Sequence, residues 1–397
     1  MQKKICEILI SCILFVALSV LSACDTPSSH STVITIPVPT EDNTVAENPA
    51  VRDFADLKFE KSLETKYAIG FSADYYEGGV VLLNVFEDGS KYLIVPEGME
   101  ITADDEYIII KRPLENIYLV SSSSMDMFVG IDALDSIKFS GKEADDWYIK
   151  EAADAMNEGK IVYAGKYSKP DYELIVSGEC RLVIENTMIY HSPDVLEQFK
   201  TFGIPVIVDY SSYEEHPLGR VEWIKFYGAL FGEEEKAEAI FKEQEDIVEN
   251  VKNTNRSDKT IAYFYITSNN LVQVKKSSDY VPKMIEIAGA KYIFEDLNDD
   301  NGKKTTVNMQ IEEFYKTAKD ADIIIYNSSI DGGMETLDDL FAKCDLIKDF
   351  KAVENDEVWC TTNDMYQQSL SAGYMIEDIN AIVNGEYDKL HYMFRLR

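Results

Sequence analysis

The hydrophobic pattern of residues 66–111 alternates and predicts β-strands. Apolar runs at 80–86 and 91–95 flank Glu87-Asp88-Gly89-Ser90, and another apolar run follows at 107–110. An Asp-Gly pair between two β-branched runs is a strong signal for a β-hairpin. Residues 53–112 are therefore predicted to form a small β-rich N-terminal extension, to which the sequence assigns no role.

From residue 113 onward, short apolar strands alternate with helical patterns in two series. The first series predicts strands and helices at 116–120, 125–134, 182–184, 193–202 and 206–208. The second predicts them at 261–265, 271–274, 280–288, 311–319, 323–326, 337–341, 358–360 and 368–384. Short buried strands separated by helices imply a parallel sheet that is covered on both faces. The predicted fold class is α/β, with two Rossmann-like lobes of parallel sheets flanked by helices, at 113–232 and 253–397.

One long helix is predicted between the two lobes, at residues 233–252. Its apolar positions from Ala237 to Val251 recur at spacings of three and four, which gives one continuous stripe. Three glutamates, 233–235, lie at its N-terminal end, where the helix dipole favours anions. We expect this helix to join the lobes and to limit their relative motion. The alternative is that it packs entirely within one lobe.

The first residues have the pattern of an export signal. Lys3 and Lys4 precede an apolar run at 8–21, which ends in Leu-Ser-Ala-Cys24. The run is shorter than the roughly 20 residues of a stable membrane-spanning helix. Its ending resembles the lipobox of bacterial lipoproteins, which implies cleavage before Cys24 and a diacylglycerol on that residue. A signal peptide at 1–23 and a lipidated tether at 24–52 would place the protein outside the cytoplasm, anchored to the cell membrane. A plain cleaved signal or an uncleaved anchor is the alternative.

The charge of the chain excludes two classes of partner. Thirty-eight Lys and Arg stand against 71 Asp and Glu, so the formal net charge is −33. Removal of the signal with Lys3, Lys4 and Glu7 takes away a net +1 and leaves −34. Such a chain repels phosphate backbones and anionic lipid headgroups, so nucleic-acid binding and polybasic membrane contact are not expected. A hydrophobic content of 46% also excludes a disordered protein.

The reactive residues of the mature chain do not form a known catalytic or metal-binding motif. Beyond Cys24, the cysteines are Cys180, Cys344 and Cys360, which cannot all pair with one another and have no zinc-ligand spacing. We expect them to be small buried residues, and their pairing stays open. The sequence lacks GxSxG, GxxxxGK[ST] and a GxGxxG after a strand. We therefore expect no enzymatic activity and no cofactor.

The ordered set of segments resembles the substrate-binding proteins of ABC importers whose two lobes are joined by a long backbone helix. This class serves ferric siderophores, haem and cobalamin. The resemblance covers about 113–385 and rests on the stretches 116–131, 164–173, 217–238, 284–290 and 321–325. It implies a monomer that captures an iron complex (siderophore or haem) or a corrinoid and delivers it to an ABC permease with its ATPase. A sensing or adhesion lipoprotein that reuses the fold is the alternative.

The resemblance also implies one docking glutamate on the surface of each lobe. Glu173 occupies the first-lobe position, and Glu312 or Glu313 occupies the second. Carboxylates at these positions would meet arginine pockets on the permease, with electrostatic steering of the encounter. Ordinary solvated carboxylates are the alternative.

The ligand is expected between the lobes, at the carboxyl ends of the strands. The candidate ligand-binding residues in the loops selected by this rule are Tyr167, Met188, Tyr190, His191, Tyr213, His216, Arg220 and Tyr366. The His, Tyr and Met side chains are of the types that serve as the axial ligand of haem iron or of a corrinoid cobalt. The alternative for each His is that its ring only forms a local hydrogen bond. Too few His lie in these loops for a bare divalent metal site.

Arg220 is the main predicted cation of the cleft. Its guanidinium suits a carboxylate or phosphate of the ligand, and Lys166 would add to the positive charge. An ion pair with Glu214 or Glu222 is the alternative for Arg220.

Overall fold

The computed structural model describes residues 51–297, 305–330 and 332–397. The predicted signal peptide, Cys24 and all but the last two residues of the predicted tether lie outside the described residues. Within the described ranges, no helix is long and apolar enough to cross a membrane.

The N-terminal extension is built of strands, as the alternation predicts. They are β1 (Arg52–Asp53), β2 (Phe59–Ser62), β3 (Phe71–Tyr76), β4 (Val80–Val85), β5 (Lys91–Val95), β6 (Ile101–Thr102) and β7 (Tyr107–Lys111). Five of them form a sheet in the order β2-β3-β4-β5-β7, in which only the β5–β7 pair is parallel. The predicted hairpin is present as β4 and β5, with Asn84 opposite Lys91.

The extension shares a hydrophobic core with the first lobe. One face of its sheet buries Phe71, whose ring centroid lies 5.0 Å from that of Trp223 and 5.6 Å from that of Phe226. The other face covers a small separate cluster that includes Phe54 and Leu93. Because its inner face belongs to the main core, the extension is held firmly against the first lobe.

The first lobe contains a five-stranded parallel sheet. Its elements are β8 (Ile117–Leu119), α1 (Ser122–Gly130), β9 (Ile137–Ser140), α2 (Lys150–Asn157), β10 (Val162–Tyr163), β11 (Gly165–Lys166), β12 (Lys169–Pro170), α3 (Tyr172–Ser177), β13 (Leu182–Asn186), α4 (Pro193–Thr201), β14 (Val206–Asp209), α5 (Pro217–Glu222) and α6 (Ile224–Phe231). The sheet order is β10-β9-β8-β13-β14, so the direction of winding reverses between β8 and β13. Such a switch point places loops that can bind a ligand at the carboxyl ends of the strands. β9 and β10 were not predicted, and α1 begins three residues earlier than predicted.

The second lobe contains a mixed sheet. Its elements are β15 (Thr260–Ile266), β16 (Val272–Lys275), α8 (Tyr280–Ile287), β17 (Lys291–Tyr292), β18 (Thr306–Met309), α9 (Ile311–Ala318), β19 (Ile323–Tyr326), α10 (Leu337–Lys343), α11 (Lys351–Glu354), β20 (Val358–Thr361), α12 (Ala372–Asn384) and β21 (Met393–Arg395). The order is β18-β16-β15-β19-β20-β21, with β17 also beside β15. The predicted parallel pairing holds at β15-β19-β20, whereas β16, β18 and β21 pair antiparallel. β16 must be antiparallel because its short connection to β15 is a hairpin turn, too short for a parallel crossover.

The predicted inter-lobe helix is α7 (Glu234–Lys252). It packs against α6 of the first lobe and against α12 of the second. The backbone N–H of Gly373 in α12 donates to Gln244 Oε1 at 2.9 Å, and a Cβ at Gly373 would lie only 2.8 Å from that oxygen. The helix therefore bridges the lobes, and the alternative of packing within one lobe is wrong.

Glu185, in the inner strand β13, is a buried acid to which the described part of the chain offers no hydrogen-bond partner. Its side chain is fully buried, and among the described residues neither carboxyl oxygen has a hydrogen-bond partner. Loss of hydration raises the pKa of Glu185 from 4.5 to about 8. The group is therefore protonated in the folded protein at neutral pH.

This burial predicts a pH-dependent loss of stability. Between pH 5 and pH 8 the folded protein holds a proton on Glu185 that the unfolded chain has released, so stability falls as the pH rises through this window. We expect the free energy of unfolding to fall by about 3 kcal/mol between pH 5 and pH 8 through this group. Glu185→Gln has no charge to bury, so its free energy of unfolding, measured with urea at pH 5, 6.5 and 8, should fall less with pH than that of the wild type. Glu179→Gln, at an exposed position, serves as the control. An unchanged pH dependence in Glu185→Gln would show that this carboxyl is not the source.

Candidate ligand-binding cleft

A cavity of about 460 Å³ lies between the lobes. Its wall residues come from the extension, from the segment after β14 with α5, and from the second lobe: Glu87, Ser212, Tyr213, Glu214, Glu215, Arg220, Lys275, Ser278, Asp279, Tyr280, Thr305 and Tyr366. A smaller cavity of about 60 Å³ adjoins it and shares Arg220, Tyr280 and Tyr366. The larger volume falls in the range of small-molecule sites in proteins. We call the two together the inter-lobe cavity.

Arg220 is held in a fixed orientation at the inter-lobe cavity. Its Nε donates to the carbonyl oxygen of Glu214 at 3.1 Å, and its Nη2 donates to the carbonyl oxygen of Ser212. The guanidinium carbon lies 3.6 Å from the ring centroid of Tyr280, on the other lobe. Neither carboxylate considered as an ion-pair partner binds it, because Glu214 and Glu222 accept hydrogen bonds from the extension instead. The charge of Arg220 is thus positioned toward the cleft by neutral groups.

The second-lobe wall combines a lysine with two tyrosine rings. Lys275 Nζ lies 3.2 Å from Asp279 Oδ2 and 5.9 Å from the ring centroids of both Tyr280 and Tyr366. Tyr366 Oη accepts a hydrogen bond from Asn327 Nδ2 at 2.6 Å. Burial raises the pKa of Tyr280 and of Tyr366, so both remain neutral phenols near pH 7. Cations beside aromatic faces suit a ligand that offers anionic oxygens and flat apolar surface.

The two lobes also contact each other through direct hydrogen bonds. Gln367 Nε2 donates to the carbonyl oxygen of Asp146 at 2.8 Å, and Gln367 Oε1 accepts from the N–H of Tyr148 at 2.9 Å. The N–H of Leu370 donates to Asp126 Oδ2 at 2.8 Å. Together with α7, these contacts fix the width of the cleft.

Three of the predicted ligand-binding residues line the inter-lobe cavity: Tyr213, Arg220 and Tyr366. Tyr190 is not among the lining residues. Its hydroxyl donates to the carboxylate oxygen Asp88 Oδ2 at 3.2 Å and shares a hydrogen bond with the hydroxyl of Tyr210. The loops after β14 and β20, two of those expected at the carboxyl ends of the strands, therefore meet at this cavity.

The other predicted residues do not line this cavity. Tyr167 packs partly buried against the first-lobe core, and Met188 and His191 are exposed on the helical turn after β13. Lys166, in the small hairpin of β11 and β12, is also exposed. These side chains lie at strand ends as predicted, but they point elsewhere.

His216 lies in a second cavity of about 360 Å³, with Lys252 and Lys283. Its Nδ1 accepts from the N–H of Leu218 at 3.1 Å, and its ring stacks on Tyr67 at 4.5 Å between centroids. Burial, with help from the two lysines, lowers the pKa of His216 to about 4. His216, expected in the cleft, therefore does not line the inter-lobe cavity, and its ring caps α5 locally.

Sequence reasoning missed Lys275, Asp279, Tyr280 and Glu87. Asp279 accepts from the N–H of Val281 at 2.9 Å and caps α8, so an Asp before a helical pattern was the available signal. Lys275 and Glu87 had no such signal, because their positions follow from antiparallel pairing and from the packing of the extension.

The predicted docking residues are exposed. Glu173 lies in the first turn of α3, and Glu312 and Glu313 lie in the first turn of α9. The three cysteines Cys180, Cys344 and Cys360 are buried and form no disulfide bond, which confirms the prediction that they are small buried residues. Among the described residues, no group of three or more His, Cys, Asp or Glu could hold a metal ion.

Two α/β lobes, one connecting helix and a cavity at their interface are the arrangement of a two-lobed binding protein. Residues 119–365 match the protein-family model described as "Periplasmic binding protein", so the chain belongs to this family. The matched region excludes the N-terminal extension.

Solved structures share the fold. A possible iron-binding periplasmic solute-binding protein of Staphylococcus epidermidis has a TM-score of 0.53 at 17% identity, covering 67% of this chain and 97% of its own. The periplasmic haem-binding protein HutB of Vibrio cholerae has a TM-score of 0.54 at 13% identity, covering 66% of this chain and 97% of its own. A protein of the ABC-type Fe3+-hydroxamate transport system of Saccharomonospora viridis has a TM-score of 0.51 at 19% identity, covering 68% and 93%. At these identities the likeness concerns the fold alone.

A relative in sequence spans nearly the whole chain. An uncharacterized lipoprotein of Methanocaldococcus jannaschii is 28% identical over 417 aligned positions, covering 97% of this chain and 94% of that protein. With this coverage the alignment includes the extension, which the family model leaves out.

Proposed function

We propose that the protein is the substrate-binding component of an ABC importer, anchored outside the cytoplasm by a lipid on Cys24. It captures an iron complex (siderophore or haem) or a corrinoid between its lobes and delivers it to the permease. Family membership, the lipobox-like sequence and the lipoprotein name of the Methanocaldococcus relative support this proposal.

The observation that carries the proposal is the pairing of Arg220 and Lys275 with tyrosine rings in the inter-lobe cavity. Hydroxamate, catecholate and carboxylate oxygens of a ferric siderophore would accept charge-assisted hydrogen bonds from both cations, and its apolar parts would contact the rings.

Among the candidate ligands, a ferric siderophore is favoured over a macrocycle with an axial histidine. The chain has four histidines. None of the three that the structure describes lines the inter-lobe cavity: His191 is exposed, His216 caps α5, and the N–H of His391 donates to Asp378 Oδ1 at 2.9 Å. An axial bond from histidine would require one of these rings to leave its present position.

A binding screen tests the proposal. The mature chain with Cys24→Ser would be titrated with ferric hydroxamates, ferric catecholates, haem and cobalamin, using tyrosine and tryptophan quenching and thermal shift. We expect at least one ferric siderophore to bind at micromolar or lower concentration and to raise the melting temperature. A chain that binds no member of the panel would contradict the proposed function.

The docking role of Glu173 gives a separate prediction. Glu173→Arg replaces attraction to a basic permease pocket by repulsion, so uptake of the bound complex should fall tenfold or more while its affinity for the purified protein stays the same. The measurement is uptake of the radiolabelled iron complex by cells that carry the variant. Glu197→Arg makes the same charge change on exposed α4 and should transport normally. Normal uptake by Glu173→Arg would remove Glu173 from the docking site.

A further inference from the structure

A run of consecutive residues in the N-terminal extension, 66–70, binds the part of the first lobe that carries Arg220. The backbone N–H groups of its first three residues donate to the carboxylate of Glu222 at 2.7 to 3.0 Å. The N–H groups of the other two donate to the carboxylate of Glu214 at 2.9 to 3.1 Å. These two glutamates lie on either side of Arg220 in the sequence. We call residues 66–70 the strap.

Glu214 contacts the strap with its side chain and Arg220 with its backbone. It is only 4% exposed, and its Oε1 accepts from the N–H of Gly70 at 2.9 Å and from Trp223 Nε1 at 3.0 Å. The carbonyl oxygen of Glu214 accepts from Arg220 Nε at 3.1 Å. The other carbonyl oxygen that holds the guanidinium belongs to Ser212, in the same loop. A displacement of Glu214 would therefore move the groups that orient the guanidinium.

The contact between the strap and Glu214 leaves no space for a side chain at Gly70. A Cβ added there would lie 3.0 Å from Glu214 Oε1 and 3.0 Å from Cζ2 of Trp223. Carbon atoms at their optimal separation lie about 3.5 to 4.0 Å apart, so the second contact is too short. Gly70 does not have a positive φ, so its backbone conformation would accept alanine. The glycine is required by the close approach to Glu214 and Trp223.

We propose that Glu214 is a positioning residue of the ligand site, through which the strap holds Arg220 in the orientation that binds the anionic oxygens of a metal complex. This inference rests on the proposed function. It gives the extension a role in binding, because Arg220 lies within the family region, 119–365, whereas the strap comes from residues before that region. A guanidinium that is ordered beforehand need not lose its freedom when the ligand binds.

Gly70→Ala tests the inference from the extension, without changing a charge. The probe is the compound of the binding screen that the wild type binds most tightly: a ferric catecholate, a ferric hydroxamate, haem or cobalamin. We expect Gly70→Ala to weaken its binding about tenfold, because the displaced guanidinium must then be ordered on binding. Glu214→Ala removes the link itself and should have a similar effect. In an Arg220→Gln background, either substitution should change the dissociation constant less than about twofold, because both act through Arg220.

The orientation of Arg220 can also be measured without a ligand. Phenylglyoxal reacts with accessible guanidinium groups, and mass spectrometry reports the extent of modification at each arginine. We expect Arg220 to react about fivefold faster in Gly70→Ala and in Glu214→Ala than in the wild type, because its N–H groups leave their carbonyl partners more often. Arg181, whose side chain is 58% exposed, should react at one rate in all proteins and serves as the internal reference.

Gly98→Ala separates positioning from general destabilisation of the extension. A Cβ added at Gly98 meets no atom within 4 Å, but the φ of +78° strains alanine, so this variant loses stability without touching the strap. Its melting temperature should fall, while its affinity and the reactivity of Arg220 should equal those of the wild type.

Two outcomes would overturn the inference and leave the proposed function standing. One is wild-type reactivity of Arg220 in both Gly70→Ala and Glu214→Ala. The other is a loss of affinity that is as large in the Arg220→Gln background as in the wild type. A wild type that binds no member of the screen would instead contradict the proposed function, and the role of the strap in ligand binding would fail with it.

Discussion

Glu222→Ala is expected to lower the free energy of unfolding by about 4 kcal/mol and to loosen the segment at 63–70, by which the N-terminal extension contacts α5 of the first lobe. Glu222 is fully buried in α5, and its carboxylate accepts the backbone N–H groups of Lys66, Tyr67 and Ala68 at 2.7 to 3.0 Å. It also lies 3.3 Å from the ammonium of Lys225, whose side chain is only 7% exposed. Alanine would leave three amides and a nearly buried cation without their common partner.

The effect of Glu222→Ala on stability is measured by urea unfolding, and its effect on the segment at 63–70 by limited proteolysis. Glu238→Ala removes the other carboxylate beside Lys225, which is 58% exposed, and should cost less than 1 kcal/mol. Cleavage within 63–70 should become rapid in Glu222→Ala only. Equal stability of the two variants would show that the buried carboxylate does not stabilise the attachment of this segment.

The extension shows which part of the fold local sequence determines. The Asp-Gly turn between β4 and β5 was predictable because a hairpin depends on neighbouring residues. The attachment of the same strands to the first lobe was not, because Glu222 contacts amides more than 150 positions earlier in the chain. Glu214 does likewise, accepting from the N–H of Gly70 at 2.9 Å. Because Glu214 and Glu222 lie close to Arg220 in the sequence, an ion pair with Arg220 was the natural expectation. The folded structure shows instead that both bind backbone amides of the extension.

The residues of the cleft also fall into those that the sequence predicted and those that it did not. Arg220, Tyr213 and Tyr366 were predictable because ligand loops follow the strands of a parallel sheet. Lys275 was missed because β16 is antiparallel, which places the end of that strand beside the cavity. His216 was expected in the same cleft but lines a different cavity, because the order of residues along the chain cannot show which way a ring turns. The sequence therefore predicts which loops meet at a site better than which side chains face it.

Arg220→Gln is expected to weaken binding of the preferred ferric complex about 100-fold, equivalent to about 2.7 kcal/mol. The guanidinium is already oriented by two carbonyl oxygens and stacked on Tyr280, so the ligand need not order it on binding. Arg220→Lys keeps the charge but loses the planar fork and the stacking, and about a tenfold loss is expected. Arg181→Gln makes the same charge change at a side chain that is 58% exposed, and it should bind like the wild type. Dissociation constants from fluorescence quenching, with melting temperatures to confirm folding, provide the comparison. If Arg220→Gln is folded and binds within threefold of the wild type, the ligand does not contact Arg220, and the inter-lobe cavity is not the site.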